Sequence, residues 1–166
     1  MFIVCVLLIC ALLYFIFRHT REYYSDNSST KILDGLYLGN KRDAENLEAL
    51  QSAGVQTIVN ATNDIPNFFP DKFEYYRVPV VDHTSSDIGK YIQAAVDFID
   101  EKLKSGSVLV HCFAGVSRSS TIVIAFLILK RGMSYHNALD FVVKKRSIVR
   151  PNPGFAKTLA NLDFTQ

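Results

Sequence analysis

Cysteine is scarce in this chain: three in all, with Cys5 and Cys10 inside one apolar N-terminal stretch and Cys112 alone in the body of the sequence. A disulfide framework is thereby excluded, and the usage suits a reducing compartment. Histidine and cysteine nowhere cluster at ligand spacing, so no metal and no cofactor is expected. Excess charge is lacking too. The formal net charge is only +2 and no Lys/Arg run is long enough to act as a basic arm, which argues against nucleic acid as a partner. No internal repeat is present, and 166 residues at 49% hydrophobic content suffice for one packed domain with little left for a second.

Residues 2–17 are unbroken apolar sequence, followed at once by Arg18, His19 and Arg21. At about 1.5 Å per residue the run reaches roughly 24 Å, short of a ~30 Å hydrocarbon core but nearer to the thinner membrane of the endoplasmic reticulum. A basic region before the run and a small-residue cleavage site after it are both missing, so an uncleaved membrane anchor is expected. The basic flank on its C-terminal side would leave the rest of the chain in the cytosol. A removed targeting sequence, a helix lying in the membrane interface and a soluble cytoplasmic protein are the alternatives. The organisation read from the sequence is an anchor at 1–21, a polar linker at 22–30 and a folded domain at 31–166.

What organises that domain is the stretch 108–129. Val108, Leu109 and Val110 begin a short aliphatic run; His111, Cys112, Phe113, Ala114, Gly115, Val116, Ser117 and Arg118 follow; then Thr121 to Leu129 are apolar on every side. The pattern predicts a buried strand, a tight loop and a buried helix. A loop closing onto a helix N-terminus aims several N–H groups and the positive end of the helix dipole at one small space, which is a cradle for an anion. Cys112 at its mouth would be held there as a nucleophilic thiolate. Arg118 offers a planar fork that matches two oxygens of a phosphoryl group. Ser119 can donate a hydrogen bond to the sulfur.

Residues 111–119 fit the pattern H-C-x-x-G-x-x-R-S, and in this the chain resembles the cysteine-dependent protein phosphatases, its Ala-Gly-Val-Ser-Arg-Ser wording being similar to the dual-specificity branch. The resemblance covers residues 31–166. It implies an α/β domain with a central mixed, mostly parallel β-sheet flanked by helices, as in the protein tyrosine phosphatase fold. It also implies a protein phosphatase acting on phosphotyrosine and phosphoserine or phosphothreonine through a phosphocysteine intermediate. Cys112 would be the nucleophile, Arg118 would bind phosphate in ground and transition states, and Ser119 would stabilise the thiolate. Phe113, Ala114, Gly115, Val116, Ser117 and Arg118 would form the phosphate-binding loop, and His111 would support it.

Cleavage of a phosphoester by a thiolate leaves an oxyanion in need of a proton, and Asp82, in a segment resembling the family's general-acid stretch, is the expected donor. Asp87 is its rival but reads better as a cap or first-turn charge of the helix that follows. Asp43 is read as the cap of a helix carrying Ala44, Leu47 and Leu50 and stopped by Gly54. Lys144, Lys145 and Arg146 read as a solvated cationic helix end. Residues 150–155 resemble the family's P-N-x-G-F segment ahead of the last helix, with Thr158 where many relatives place glutamine. The loop positions Phe113, Ala114, Val116 and Ser117 carry no charge, which favours phosphoprotein substrates over polyphosphorylated lipid. A phosphoinositide phosphatase and a phospho-binding module with little turnover are the competing classes. A sulfur transferase would not need Asp82.

Overall fold

Val108, Leu109 and Val110 lie in the middle of a five-stranded sheet. Its strands are β1 (Thr30–Leu33), β2 (Leu36–Gly39), β3 (Val55–Asn60), β4 (Glu74–Arg77) and β5 (Ser107–His111), in the order β1-β2-β5-β3-β4. Only the β1/β2 hairpin is antiparallel, closed by Gly35 at φ +76°. β5 runs parallel to both β2 and β3, and β3 to β4. The mixed, mostly parallel sheet expected from the sequence is thus present. The computed structural model describes residues 29–162. The apolar run at 2–17, with Cys5, Cys10 and the expected anchor, lies outside the described residues. Among the described residues no helix is long and apolar enough to cross a membrane.

Alternation along β5 divides the core. Val108 and Val110 face a large cluster, whereas Leu109 joins Ala44, Leu50, Ile58 and Phe73 on the opposite face. The second face is covered by two short helices, α1 (Lys41–Glu45) and α2 (Leu47–Ser52). The first holds α4 (Arg118–Arg131), surrounded by α3 (Gly89–Lys102), α5 (Tyr135–Lys145) and α6 (Pro153–Leu162). That enclosure explains a helix with no polar side: residues 119–128 are all buried. Ile92, Val96 and Ile99 of α3, Ala138 and Val142 of α5, and Phe155 and Leu159 of α6 belong to the same cluster. Each fully buried large side chain here contributes about 1.5–3 kcal/mol. Gly132 ends α4 at φ +63°, and Ser134 caps α5, its Oγ accepting from Asn137 N–H at 3.3 Å.

Three sequence readings need correction. Asp43 is not a helix cap: Asn40 is, its side chain accepting from Arg42 and Asp43 N–H, while Asp43 Oδ2 takes the Asn40 N–H at 2.7 Å. Its carboxylate therefore completes a capping box from the third helical position. The single helix expected there is two, because Asn46 intervenes and caps α2 through Ala49 N–H. Arg146 is not solvated but buried. Asp87 does serve the next helix, accepting from Lys90 N–H at 3.4 Å.

Candidate active site

Central position in a parallel sheet brings the end of β5 to the carboxyl edge where such folds bind ligands. His111 is in register there with Gly39 of β2 and Asn60 of β3. From it the chain turns through residues 112–117 into the N-terminus of α4. Cys112 is 1% exposed. Its sulfur accepts from Gly115 N–H at 3.3 Å and from Ser119 Oγ at 3.2 Å. Both donors are therefore aimed at the sulfur from within the loop and the first turn of α4.

The turn needs a glycine at one place. Gly115 has φ +68°, and a Cβ there would lie 2.7 Å from Gly39 O and 2.8 Å from Arg146 Nη2. The loop is thus seated directly on the end of β2. Lys41 N–H donates to Phe113 O at 3.1 Å and Arg146 Nε to Gly115 O at 3.1 Å, so the loop's carbonyls are bound from behind. Arg146 Nη1 also reaches Thr30 Oγ1 at 3.2 Å. Burial pushes the Asp43 carboxyl up from its ordinary range, with the Asn40 N–H and the nearby Arg146 acting in the opposite direction.

With its carbonyls tied back, the loop turns N–H groups the other way. Those of Phe113, Ala114, Val116 and Ser117 make no backbone hydrogen bond among the described residues. The N-cap residue adds to this. Ser117 makes no capping bond to α4; its Oγ donates instead to Asp82 Oδ1 at 2.8 Å. A serine at this position ordinarily satisfies one of the helix's orphan N–H groups. Here it leaves them for an anion.

Arg118 bends over the loop, its side chain 11% exposed, with Nη1 3.4 Å from Val80 O and Nε 3.9 Å from Asp82 Oδ2. Its Nε has no hydrogen-bond partner among the described residues. Asp82 is itself exposed. Asn152 Nδ2 donates to the same Oδ1 as Ser117, also at 2.8 Å, and Asn152 N–H donates to Ser117 Oγ at 3.1 Å. Asn152 Oδ1 meanwhile accepts from Phe155 N–H at the start of α6. One carboxylate oxygen is saturated by two donors. A proton on Asp82 must therefore sit on Oδ2, the oxygen turned toward Arg118.

His111 is wholly enclosed. Nδ1 lies 3.4 Å from Cys112 O, and Nε2 is buried without a partner among the described residues. Burial pushes its imidazole down to about 4, aided by Arg77 and Arg118 and opposed by the Cys112 carbonyl. The ring is neutral at pH 7, and since a carbonyl only accepts, its proton belongs on Nδ1.

The residues expected from the sequence, Cys112, Arg118, Ser119, Asp82, His111 and the loop 113–118, therefore come together in one place. Two participants were read otherwise. Asn152 was read only as a preface to the last helix and Arg146 as a surface cation. The only signal for Asn152 lay in the P-N-x-G-F resemblance; nothing local marked Arg146. Among the described residues no cluster of His, Cys, Asp and Glu could hold a metal ion.

Comparison with known proteins adds an independent line. Residues 36–163 match the family described as "Dual specificity phosphatase, catalytic domain". The chain is 44% identical over 137 residues to human dual specificity protein phosphatase 9, which covers 81% of this chain and 35% of that protein. It is 42% identical over 149 residues to dual specificity protein phosphatase 1 of Arabidopsis thaliana, covering 89% and 75% of the two chains. Among solved structures, that of DUSP15 superposes with a TM-score of 0.79 at 36% identity, over 83% of this chain and 88% of that one. The chain thus spans about a third of the length of the human relative it matches.

Proposed function

The chain belongs to the dual-specificity phosphatase family, and from that footing we propose that it is a protein phosphatase. It hydrolyses phosphotyrosine and phosphoserine or phosphothreonine on proteins, with residues 31–166 as its catalytic domain. The observation that carries this reading is a sulfur held by Gly115 N–H and Ser119 Oγ at the floor of a loop that opens on the N-terminus of α4. A merely structural cysteine needs no such donors.

Two displacements at phosphorus complete the reaction. In the first, Cys112 Sγ attacks in line, the phosphorus–oxygen ester bond breaks, and the leaving oxygen takes the proton from Asp82 Oδ2. The loop N–H groups and the Arg118 guanidinium hold the equatorial oxygens as negative charge spreads over them. Each such preorganised donor is worth about 3–4 kcal/mol in comparable sites. In the second, Asp82 removes a proton from water as its oxygen attacks the phosphocysteine. The sulfur leaves as thiolate, received by Ser119 Oγ, and inorganic phosphate departs. Asn152 and Ser117 keep Asp82 aimed throughout. Neutral His111 supports the loop through Cys112 O and does not exchange protons.

The uncharged loop side chains support phosphoprotein rather than polyphosphorylated lipid as substrate. Turnover of p-nitrophenyl phosphate, abolished in Cys112→Ser, tests the chemistry; retained turnover in that variant overturns it. A panel of phosphopeptides and phosphoinositides tests the substrate class, and faster turnover of the lipids refutes the choice of protein. Residues 1–21 are proposed to anchor the chain in a membrane, through the polar linker 22–30, with the catalytic domain in the cytosol. Release of the full chain from membranes by alkaline carbonate would refute the anchor.

A further inference from the structure

Large apolar side chains left singly in solvent are ordinary and need no account. Among the described residues three are exposed, Val81 at 55%, Phe113 at 64% and Ile148 at 40%. All of them border the phosphate loop. Phe113 belongs to it. Val81 directly precedes Asp82, which Ser117 of the loop holds at 2.8 Å. Ile148 lies two residues before Arg150, whose N–H donates to Val116 O at 2.9 Å. Among the described residues the exposed large apolar side chains are therefore all carried on the phosphate loop or on segments hydrogen-bonded to it, while Cys112 within that loop is 1% exposed.

The chain segment that carries Ile148 and Arg150 is also of one sign. Residues 141–162 include Lys144, Lys145, Arg146, Arg150 and Lys157 and no carboxylate. Arg146 is taken up behind the loop, but Arg150 is exposed and makes no ion pair among the described residues. Its backbone bond to Val116 fixes it beside the cradle.

Resting on the phosphatase reading, we propose that this rim selects the substrate: a phosphorylated protein segment with a bulky apolar residue next to the phosphorylated one and a carboxylate on the side of Arg150. A phosphoryl group can reach the sulfur only if the chain carrying it lies across the rim. Neighbouring residues of an extended segment are spaced about 3.3 Å apart along it, so they rest on Val81, Phe113 and Ile148. Covering those side chains removes apolar surface from water, and the carboxylate meets a cation that has no ion-pair partner among the described residues. The rim thereby supplies the discrimination that an uncharged loop lacks.

The test uses the full chain and synthetic phosphotyrosine peptides of equal length. One set has Leu or Phe beside the phosphotyrosine and Glu further along; the other has Gly and Ser flanks with Lys in place of Glu. The ratio of kcat/KM between the two sets should favour the first by tenfold or more. It should shrink in Val81→Ser and Ile148→Ser, and the Glu-over-Lys preference should reverse in Arg150→Glu. Binding of the same labelled peptides to the Cys112→Ser protein, read by fluorescence anisotropy, should show the same order. That measurement does not depend on turnover, so a chain that binds selectively without catalysis would sink the enzyme and keep the rim. Equal kcat/KM for the two sets, with p-nitrophenyl phosphate still hydrolysed, would sink the rim and keep the enzyme. A loss of affinity for phosphatidylserine vesicles in Val81→Ser and Ile148→Ser, with the peptide ratio unmoved, would overturn it in favour of a lipid surface.

Discussion

His111 makes acid stability a measurable property of the loop. Its imidazole is buried, with Nε2 unpartnered among the described residues, and burial first of all holds it near 4 against an ordinary value near 6.5. The fold thus favours the neutral ring. Above about pH 6.5 the ring is neutral in folded and unfolded chains alike, and its contribution is fully present. As pH falls from 6.5 toward 4 the unfolded chain binds a proton that the folded one refuses, and stability is lost with a slope approaching one proton. Holding the ring near 4 instead of 6.5 corresponds to roughly 3 kcal/mol in full, of which about 2–3 kcal/mol should disappear between pH 7 and pH 4.5. That is a large share of the 5–15 kcal/mol by which a domain is ordinarily stable. Other carboxyls titrate in the same window, so the reading is a difference: urea unfolding of the parent and of His111→Gln at both pH values, the parent losing about 2–3 kcal/mol more. Parallel losses would refute the argument. Should the variant not fold, the imidazole Cε1–H resonance of the parent decides alone. A midpoint near 4 supports the enclosed neutral ring, and a midpoint near 6.5 refutes it.

Three further outcomes follow from the same geometry. Asp82→Asn should slow turnover of alkyl phosphates by 100-fold or more while sparing aryl phosphates with acidic leaving groups and leaving KM unchanged; equal rates with poor leaving groups would point to another acid. Asn152→Ala should lower kcat about tenfold at constant KM, because it frees Asp82 Oδ1 from one of its two 2.8 Å donors; a drop in stability with kcat intact would make Asn152 merely a cap of α6. Gly115→Ala combines a left-handed backbone, about 1–2 kcal/mol, with a Cβ 2.7 Å from Gly39 O, whereas Gly132→Ala meets nothing within 4 Å. Both should lower the urea midpoint, and only the first should abolish turnover.

The sequence disclosed the chemistry more readily than its support, and the reason lies in sequence distance. Cys112, Gly115, Arg118 and Ser119 are neighbours on one loop, so their spacing alone implies that they converge, and the apolar run that follows announces an enclosed helix. The mixed, mostly parallel character of the sheet was legible only through family likeness and the order of its strands not at all, since nothing in β2 or β3 states that β5 lies between them. Pairing with β4 is similarly silent: residues 73–81 carry aromatic and β-branched side chains with Pro79 as a breaker, which marks a strand but not its partner, and the strand that pairs with β3 is Glu74–Arg77.

Arg146 and Asn152 escaped for a different reason. A cation at a helix end is stabilised by the dipole and by water wherever it stands, so Lys144, Lys145 and Arg146 are indistinguishable in sequence. Only the carbonyl of Gly115, 31 residues away along the chain, separates the third from the others by giving it a buried acceptor. Asn152 was in plain view, but its visible role, accepting from Phe155 N–H as helix caps do, occupies just its oxygen. The amide nitrogen was left over, and it reaches Asp82 across 70 residues. The same sharing recurs at Ser117, which abandons the cap of α4 for that carboxylate. Each of these polar groups departs from its ordinary local partner where the phosphate loop requires it. A site that binds an anion with its own N–H groups must keep them unsatisfied in the free protein, and the Ser117 side chain that would otherwise have satisfied one of them is held elsewhere, on the Asp82 carboxylate.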